Sequence, residues 1–567
     1  MERGLTRRAM MALIGGVPVA GCAGLPRAAA FEARSEGAPL PFAHGVASGD
    51  ARADRVMLWT RVTATSDVTV RWEISAAADF SRLAARGEVR TGAARDWTVK
   101  ADAAGLTAGT AYFYRFQLGE AVSPVGRTRT LPEGRIDRLR LAAVSCAHLS
   151  HGWFNVYDHL ARRGDIDAVI HLGDYLYSQR AGGFAGAPHE IAGRTHEPRH
   201  EAVSLADYRT RHAQYKADAS LQALHAAHPV YAIWDDHEIA NDASRAGAPG
   251  HRGDAASWQA RQAAALQAYH EWMPVRAPED GDLAGRFKTL KFGNFATICL
   301  LETRLSGRDG SLGFGAMAAR AAQPGGIAQV QRIFAEPDRA KLGAGQLSEL
   351  AKAFEQSGDG WLILANPTLM AEVKTPDVRP YLSDTALAEL KARWADADGF
   401  LAAAEHGLPL LPDSWDGYTA ERERLYGALH AAGREDALVL TGDTHSWWVN
   451  TLSSADGRAA GVELAASSVS APSALGERLI GERARDLALL VTRDNPAVRY
   501  VSGEGHGYID LDLAEGRGTA RFVAVDNVAG PAYSAGVQAE FRLTREEGRL
   551  RVSRPQGLGL KQRFLFG

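Results

Sequence analysis

The stretch that decides the fold is AVIHLGD, residues 168–174, an apolar run that stops abruptly at a glycine and a carboxylate. A continuous hydrophobic run of this kind is typical of a strand buried on both faces. In open α/β sheets the ligand lies at the carboxyl ends of the strands. The sequence therefore predicts that Asp174 belongs to a functional site at the edge of a sheet.

Four further apolar runs also stop at polar clusters. They are followed by Cys146 (after residues 139–145), Asp235-Asp236-His237 (after 230–234), Asn366 (after 361–365) and Gly442-Asp443-Thr444-His445 (after 438–441). Between the runs, apolar residues recur at helical spacing. The separation of Cys146 from Asp174 fits a βαβ unit of about 30 residues, which favours parallel neighbouring strands. The pattern predicts one shared site built from all five strand ends.

The chain upstream of these runs has a different pattern. From Phe42 to about Thr130, short segments of β-branched and aromatic residues predict strands, and Gly105–Tyr112 resembles the turn before the tyrosine-corner strand of a fibronectin-type sandwich. We predict an N-terminal β-sandwich over residues 38–133 and a catalytic domain over 136–567. Residues 178–203, rich in Gly, Ala, His and Arg, are predicted to form a long loop.

The composition is that of an ordinary folded protein. Of 567 residues 46% are hydrophobic and 23% charged, and 64 basic against 67 acidic residues leave a formal net charge of −3. These values exclude a disordered or collagenous chain. No global positive field favours nucleic acid, so we predict no nucleic acid as a regulatory partner. The three cysteines, Cys22, Cys146 and Cys299, cannot form a disulfide framework.

The first thirty residues have the pattern of an export signal. Arg7 and Arg8 precede a short apolar run, which indicates the twin-arginine translocation machinery as a partner. Two processing alternatives stay open. Val19–Cys22 resembles a lipobox, which would make Cys22 a lipid anchor, whereas cleavage after Ala30 would discard it. We predict a periplasmic or extracellular location, either free or as a membrane-anchored lipoprotein.

The strand-end clusters suit a centre that holds two metal ions. A carboxylate at one strand end can bridge two cations, and acidic or amide groups from the next strands can complete the outer cation. Gly173-Asp174, Asp236-His237-Glu238 and Gly442-Asp443-Thr444-His445 follow one another in this form. Together they predict a binuclear hydrolase.

Seven segments occur in an order that is specific when taken together. They are FAHGVASGD (42–50), LWTR (58–61), VSC (144–146), HLGDYLY (171–177), WDDHE (234–238), WDGY (415–418) and GDTHSW (442–447). On these segments the chain resembles the alkaline phosphatase D (PhoD-type) family of calcineurin-like metallophosphoesterases, over nearly the whole mature chain. The resemblance implies an α/β fold: a calcineurin-like metallophosphatase sandwich, with two central β-sheets flanked by helices, and an N-terminal fibronectin-type β-sandwich.

The same resemblance implies iron(III) and calcium as cofactors. The ferric ion would be held by a thiolate, a carboxylate, a phenolate and an imidazole, which form a mixed anionic set. Calcium would be held by hard oxygens, and Asp174 would bridge the two ions. The implied ligands are Cys146, Asp174, Tyr177 and His445 for iron, and Asp236, Asn366 and Asp443 for calcium.

Two residues are candidates for catalysis beside the metals. His237 follows a predicted ligand, and we expect it to stabilise the transition state or to protonate the leaving oxygen. Arg304 would clamp non-bridging phosphate oxygens through its planar guanidinium. Glu302 stands where the family usually has Asp, so the position of Arg304 could differ from that of the corresponding arginine in the family. A water made acidic by the metals would attack phosphorus in line.

Several residues have a structural alternative. Cys146 suits either a ligand or an inert core position, and its strand-end place favours the ligand; Cys299 is predicted to be a core residue. Asp235 is predicted to be a hydrogen-bonding neighbour rather than a ligand. Six histidines are predicted to be solvated loop or helix residues, namely those at 189, 196, 200, 212, 225 and 228.

The leading hypothesis from the sequence is an exported phosphoesterase. Its substrates would be phosphomonoesters and phosphodiesters, with inorganic phosphate as a product. Phospholipid (phospholipase D-like) or teichoic-acid-type phosphodiesters are an alternative substrate class. A cell-surface binding protein with a vestigial large domain is a further alternative, which the intact ligand set disfavours because a buried charged cluster is costly to keep without chemistry.

Overall fold

The structure is a computed structural model, and it describes residues 30–34, 36–183, 190–278, 281–285, 287–394, 397–473 and 484–556. Residues 1–29 of the predicted export signal, which include Arg7, Arg8 and Cys22, lie outside the described residues, as does His189. Within the described ranges, no helix combines the length and the apolar character needed to cross a membrane.

Strands and helices alternate in the middle of the chain, between residues 138 and 441, and strands predominate on either side. The strands are β1 Ala30–Glu32, β2 Val46–Gly49, β3 Arg55–Arg61, β4 Val68–Ser75, β5 Leu83–Thr91, β6 Thr98–Ala104, β7 Ala111–Leu118, β8 Ala121–Val122, β9 Gly126–Arg129, β10 Arg138–Val144, β11 Ala168–His171, β12 Val230–Ala232, β13 Lys288–Phe292, β14 Ala296–Leu300, β15 Trp361–Ala365, β16 Ala437–Thr441, β17 Trp447–Ser453, β18 Ala459–Ala465, β19 Val498–Ser502, β20 His506–Ala514, β21 Arg517–Val525, β22 Ala532–Glu546 and β23 Arg549–Val552. The α-helices are α1 Asn155–Ala161, α2 Leu205–Lys216, α3 Ala219–Ala227, α4 Ala255–Trp272, α5 Phe314–Ala321, α6 Gly326–Phe334, α7 Ala344–Glu355, α8 Asp384–Arg393, α9 Ala397–Glu405, α10 Thr419–Ala431 and α11 Ala484–Asp494.

Two large sheets form the catalytic part of the molecule. One has the order β1-β22-β21-β20-β10-β11-β12-β2-β3-β6, with β23 paired to β22, and the other has the order β13-β14-β15-β16-β18-β17-β19. The strands β10, β11 and β12 are parallel, and so are β14, β15, β16 and β18. All five predicted apolar runs are strands of these parallel sets, so their carboxyl ends meet at common edges.

The main core lies between the two large sheets. Leu141 and Ile170 of the first sheet belong to the same buried cluster as Ile363 and Leu440 of the second. The outer face of the first sheet packs on α1 to α4, and the outer face of the second packs on α7 and α10. Because each central strand is covered on both faces, its sequence is apolar throughout. The predicted fold class is confirmed.

The N-terminal strands form a sandwich that shares a sheet with the catalytic part. The strands β2, β3 and β6 extend the first large sheet through a contact between Val230 and Gly49, and they pack on a five-stranded sheet of β5, β4, β7, β8 and β9. In the predicted tyrosine corner, the backbone N–H of Thr107 donates to the Tyr112 hydroxyl at 2.9 Å. The predicted boundary at 133–136 falls between β9 and β10.

The segment around residue 30 belongs structurally to the opposite end of the same sheet. Strand β1 pairs antiparallel with β22, and the N–H of Ala33 donates to the carbonyl of Pro531. This pairing lies outside the predicted 38–133 module. The described residues of the predicted 178–203 loop contain no regular helix or strand.

Candidate metal centre

The strand ends place the predicted ligands on unusual backbone. Cys146, Asp174, Asp443 and His445 have φ values of 61°, 54°, 63° and 53°, all in the left-handed region. Non-glycine residues adopt this conformation rarely, and such strained residues cluster at functional sites. The preceding Gly173, with φ 97°, lets the turn after β11 approach the turn after β12, because an added Cβ would lie 2.5 Å from Asp235.

Four side chains that the sequence assigns to iron meet in one buried group. The hydroxyl of Tyr177 lies 3.2 Å from Oδ2 of Asp174 and 3.0 Å from Nε2 of His445. The Sγ of Cys146 lies 3.5 Å from the same Asp174 oxygen. The ligand atoms of Cys146, Asp174 and His445 all lie within 4.8 Å of one another. One cation could contact a thiolate, a carboxylate, a phenolate and an imidazole here.

His445 is oriented by a backbone group. Its Nδ1 lies 2.9 Å from the carbonyl oxygen of Pro472. A carbonyl only accepts, so Nδ1 carries the proton and Nε2 presents its lone pair toward Tyr177 and Asp174. Metal-ligating histidines commonly have such a partner on their second nitrogen.

Two further groups of ligand atoms lie beside the first. Asp174, Asp236 and His237 form one group, and Asp235, Asp236 and Asp443 form the other, each with atoms within 4.8 Å. Asp174 is shared by the first two groups, and Asp236 by the last two. The last group is an all-oxygen set, which suits a hard cation. Asp443, with 23% of its side chain exposed, is its most accessible member.

The carboxylates raise one another's proton affinity. Burial, followed by the charge of Asp236, raises the pKa of Asp174 well above its ordinary value. Burial and the charge of Asp235 do the same for Asp443. Burial opposes ionisation of Asp236 as well, but His237 and Arg304 lower its pKa overall. Like charges held this close need cations or protons to offset their repulsion.

The surroundings of one oxygen of Asp236 show whether cations fit the centre. Oδ1 of Asp236 is buried, and no described residue gives it a hydrogen bond. A buried carboxylate oxygen without a partner is expensive, whereas a coordinated cation would satisfy it. The mixed and all-oxygen donor sets and this oxygen together fit bound metal ions.

His237 lies against the centre. Its ring centroid is 4.2 Å from that of Tyr177, with 31° between the planes, and its backbone N–H donates to Oδ1 of Asp174 at 3.4 Å. Burial lowers the pKa of His237, which favours the neutral imidazole.

Comparisons with known proteins identify relatives of this chain. The sequence model described as PhoD-like phosphatase matches residues 141–522, and the model of its N-terminal domain matches residues 27–132. The chain belongs to the PhoD-like phosphatase family. Alkaline phosphatase D of Bacillus subtilis (strain 168) is 29% identical over 530 residues, which are 90% of this chain and 82% of that protein.

A solved structure agrees with the family assignment. The structure titled "Structure of PhoD" superposes with a TM-score of 0.74 at 27% identity, covering 93% of this chain and 96% of that one. The protein is a phosphoric ester hydrolase, as the members of the PhoD-like phosphatase family are. The family is metal-dependent, and this chain has buried groups that can hold metal ions.

Arg304 is placed differently from the phosphate clamp that the sequence predicts for this PhoD-like phosphatase. The side chain is fully buried, and its guanidinium binds both oxygens of Asp235 at 2.5 and 2.8 Å and Asp413 at 2.5 Å. It also lies 3.6 Å from Asp443. These contacts engage Nε and both terminal nitrogens of the guanidinium, so Arg304 orients acidic residues in this structure.

Asn366 also has another use in the PhoD-like fold. Its Oδ1 accepts from the indole N–H of Trp415 at 3.1 Å, and its amide donates to the carbonyl of Thr368 at 2.5 Å. The side chain therefore ties the end of β15 to neighbouring loops, and the structure gives no support to its prediction as a calcium ligand. Its position at a strand end was the only basis for that prediction.

The prediction of solvated histidines is wrong for four of the six. They lie in α2, in α3 and in the segments that flank these helices; they are His196, His212, His225 and His228, none more than 2% exposed. His200 is exposed. Cys299 is buried in β14, as predicted. Asp235 does pair with Arg304, although its oxygens also reach the group with Asp236 and Asp443.

Two acidic residues of the PhoD-like site were not recognised from the sequence. Asp413 joins the buried Arg304 and Arg308. Glu238 accepts backbone N–H groups from the turns that carry Asp174 and Asp235, and burial raises its pKa to about 8. Glu238 lies in the Asp236-His237-Glu238 segment that helped to predict the binuclear centre, but that segment did not distinguish a ligand from a structural group.

Proposed function

We propose that this PhoD-like phosphatase is an exported, metal-dependent hydrolase of phosphomonoesters and phosphodiesters. The observation that carries the proposal is the sharing of carboxylates between donor groups: Asp174 belongs to the group with Cys146 and His445 and also to the group with Asp236 and His237. Asp236 in turn belongs to the group with Asp235 and Asp443. A shared carboxylate between two donor sets is the arrangement that a two-metal phosphoesterase requires.

The proposed cofactors are iron(III) and calcium. The thiol, phenol and imidazole around Asp174 offer soft and anionic donors, which favour a ferric ion. The carboxylates of Asp235, Asp236 and Asp443 offer only oxygen, which favours calcium. Asn366 is left out of this set because its amide is engaged with Trp415 and Thr368.

The residues of the chain would divide the work of hydrolysis. Bound cations would lower the pKa of a water and offset the charge of the phosphate. Asp174 and Asp236 would fix the spacing of the two positions. His237, kept neutral by burial, has a ring N–H that would donate to a phosphate or leaving oxygen. Arg304 would hold Asp235 against the centre through its two-pronged contact.

Access to the centre supports approach of substrate from one direction. Cys146, Tyr177 and Asp174 are at most 1% exposed, whereas the side chain of Asp443 is 23% exposed. A phosphate ester would therefore approach on the Asp443 side and release inorganic phosphate there. Phospholipid (phospholipase D-like) and teichoic-acid-type diesters share the same phosphodiester chemistry and would be tested as substrates alongside simple esters.

Export is proposed from the sequence. The twin-arginine pattern at Arg7 and Arg8 would direct the chain to the translocation machinery, and Cys22 would carry a lipid if the Val19–Cys22 lipobox is processed. The protein would then act in the periplasm or outside the cell. The mass of the mature N-terminus distinguishes an acylated Cys22 from cleavage after Ala30.

The decisive experiment combines elemental analysis with two assays. Purified protein should contain iron and calcium and should hydrolyse para-nitrophenyl phosphate and bis-para-nitrophenyl phosphate, with loss of both activities on chelation. Activity that persists in metal-free protein would contradict the metal-dependent proposal. Turnover of the monoester alone would restrict the proposed substrates to monoesters.

A further inference from the structure

Glu238 is a buried acid whose two oxygens both face backbone. Oε2 accepts from the N–H of Asp174 at 3.1 Å and from the N–H of Asp235 at 3.0 Å, and Oε1 accepts from the N–H of Tyr175 at 2.7 Å. The side chain is 2% exposed. Glu238 is also absent from the three groups of described residues that could hold a metal ion. Its carboxylate is therefore engaged in holding backbone.

The backbone that Glu238 holds is the part that needs support. Asp174 has φ 54° and follows Gly173 with φ 97°, so the turn after β11 is in conformations that are unfavourable for most residues. Successive N–H groups in such a turn form a concave site for an anion. Glu238 places acceptor oxygens in that site from within the chain, and its Oε2 also accepts from the N–H of Asp235 in the next ligand-bearing turn.

The turn that Glu238 binds also supports the strand end at Cys146. The N–H of Cys146 donates to the carbonyl of Gly173 at 3.2 Å, and the N–H of Ala147 donates to the carbonyl of Asp174 at 2.9 Å. The 173–175 turn is thus bound through its amides by Glu238 and through its carbonyls by the Cys146 loop. One carboxylate connects the turns that bear Cys146, Asp174 and Asp235.

We propose that Glu238 is a positioning residue that fixes the turns bearing Cys146, Asp174 and Asp235–Asp236 in their metal-binding geometry before any ion binds. The inference rests on the proposed metal-dependent function and goes beyond it, since it states what builds the site. Removal of the carboxylate would loosen the spacing between donor groups and weaken cation binding, even in a folded protein.

Glu463 provides a matched control. It is also fully buried, and its carboxylate accepts from the N–H groups of Met370 and Ala371 at 2.5 and 3.1 Å and from the Asn450 amide at 2.8 Å. It holds loops of the second sheet, but none of its partners is a residue of the metal centre. In both positions a Gln would turn its NH₂ group against a backbone N–H.

The test compares Glu238→Gln with Glu463→Gln. Chelator-treated protein would be titrated with Ca²⁺ by calorimetry, and iron content and melting temperature would be measured on the same preparations. We expect both variants to melt at lower temperature, but the calcium Kd to rise about 10- to 100-fold only in Glu238→Gln. An equal Kd in the two variants, or an unchanged Kd in Glu238→Gln, would overturn the proposal.

A measurement on the wild-type chain covers the case in which Glu238→Gln does not fold. Hydrogen exchange of the metal-free protein should show protected amides at Asp174, Tyr175 and Asp235, because these bonds are made without an ion. Exchange of those amides at the rate of open loops would overturn the proposal. Wild-type protein that binds neither iron nor calcium, yet keeps these amides protected, would instead contradict the proposed metal-dependent function.

Discussion

Two buried clusters of titratable side chains lie on either side of Tyr175, and they differ in how their buried charge is offset. The metal-centre cluster gathers acids, Asp174, Asp235, Asp236 and Asp443, and its spare oxygen on Asp236 fits a cation. The Lys216 cluster gathers bases, namely Lys216 with His171, His212 and His225. The Nζ of Lys216 lies 3.0 Å from Nε2 of His225, which also bonds the Tyr175 hydroxyl at 2.8 Å.

The difference lies in how each cluster avoids uncompensated charge. In the described part of the chain, Lys216 has no carboxylate within salt-bridge distance, and burial lowers its pKa well below the ordinary value. Burial therefore favours the neutral amine of Lys216, whose Nζ lies 4.6 Å from the centroid of the Trp59 ring. The acids remain available as anions when cations are present. Burial thus favours the uncharged form of the bases, whereas a bound cation would offset the charge of the acids.

The strongest test of the metal-centre cluster is Asp174→Asn. Asparagine tolerates the left-handed backbone of this position but removes the charge shared by two donor groups. We expect phosphatase activity to fall by more than about 100-fold, beyond the loss typical of outer partners, with both metals lost. Elemental analysis and the two nitrophenyl assays measure this. The control is Asp54→Asn, an exposed acid paired with Arg55; normal content of both metals in Asp174→Asn would contradict the bridging role.

Asp443→Asn separates the two halves of the same cluster. Asp443 belongs only to the all-oxygen group and is the most exposed of the acids. We therefore expect calcium content to fall and iron content to stay, with activity lowered about 10- to 100-fold. Loss of iron to the same degree would show that the two donor groups do not act as distinct positions.

Tyr177→Phe should affect only the donor group proposed to hold iron. The phenol contacts Asp174 and His445, so a tyrosinate on iron(III) should give the protein a visible charge-transfer band. We expect the variant to lose that band, to keep its calcium and to lose about 10-fold in activity. A visible spectrum identical to that of the wild type would remove Tyr177 from the set of ligands.

The smallest expected effect concerns the Lys216 cluster. Lys216→Met replaces a buried amine by an apolar side chain of similar length and should raise the free energy of unfolding by about 1–3 kcal/mol at neutral pH. The pKa of Lys216 is lowered in the folded protein, whereas a lysine in the unfolded chain has a pKa of about 10.4. Between these values the unfolded chain binds more protons, so this contribution to stability rises with pH and is complete only above about 10.4.

The gain from Lys216→Met should therefore shrink as the pH approaches about 10.4. Denaturant unfolding at neutral pH and near pH 10, with metal content held fixed, measures the trend. Lys352→Met is the control, because Lys352 is exposed and pairs with Glu349, and it should show little change at either pH. A gain that does not depend on pH would mean that Lys216 is charged in the folded protein.

Buried strands and donor residues were predictable because they depend on local pattern. Apolar runs that end at polar residues located Cys146, Asp174, Asp236 and His445, and the structure brings these together. The pattern also misled at Asn366, since a strand-end position does not reveal that Trp415 will occupy the amide. The partners of Arg304 were hidden for the same reason: Asp413 lies 109 residues away, so only tertiary packing brings the pair together.

The buried histidines could not be predicted from their own surroundings. His212 lies on a helix with many polar residues, yet it stacks on Trp272 of α4 at 6.2 Å between ring centroids. Burial of that kind is decided by distant aromatic residues, and no local periodicity reports it. The use of Glu238 was likewise hidden, because its partners are backbone groups and leave no trace in the sequence.

The shared sheet has a consequence for exchanging parts between related phosphatases. Strand β2 of the N-terminal module continues the catalytic sheet beyond β12, and the Trp59 indole of that module donates to the carbonyl of Glu271 near the end of α4. Lys100 donates to the carbonyls of His270 and Val275 in the same segment. A chimera cut between β9 and β10 would pair each half with foreign backbone, so a functional graft should carry residues 255–276 together with the N-terminal module.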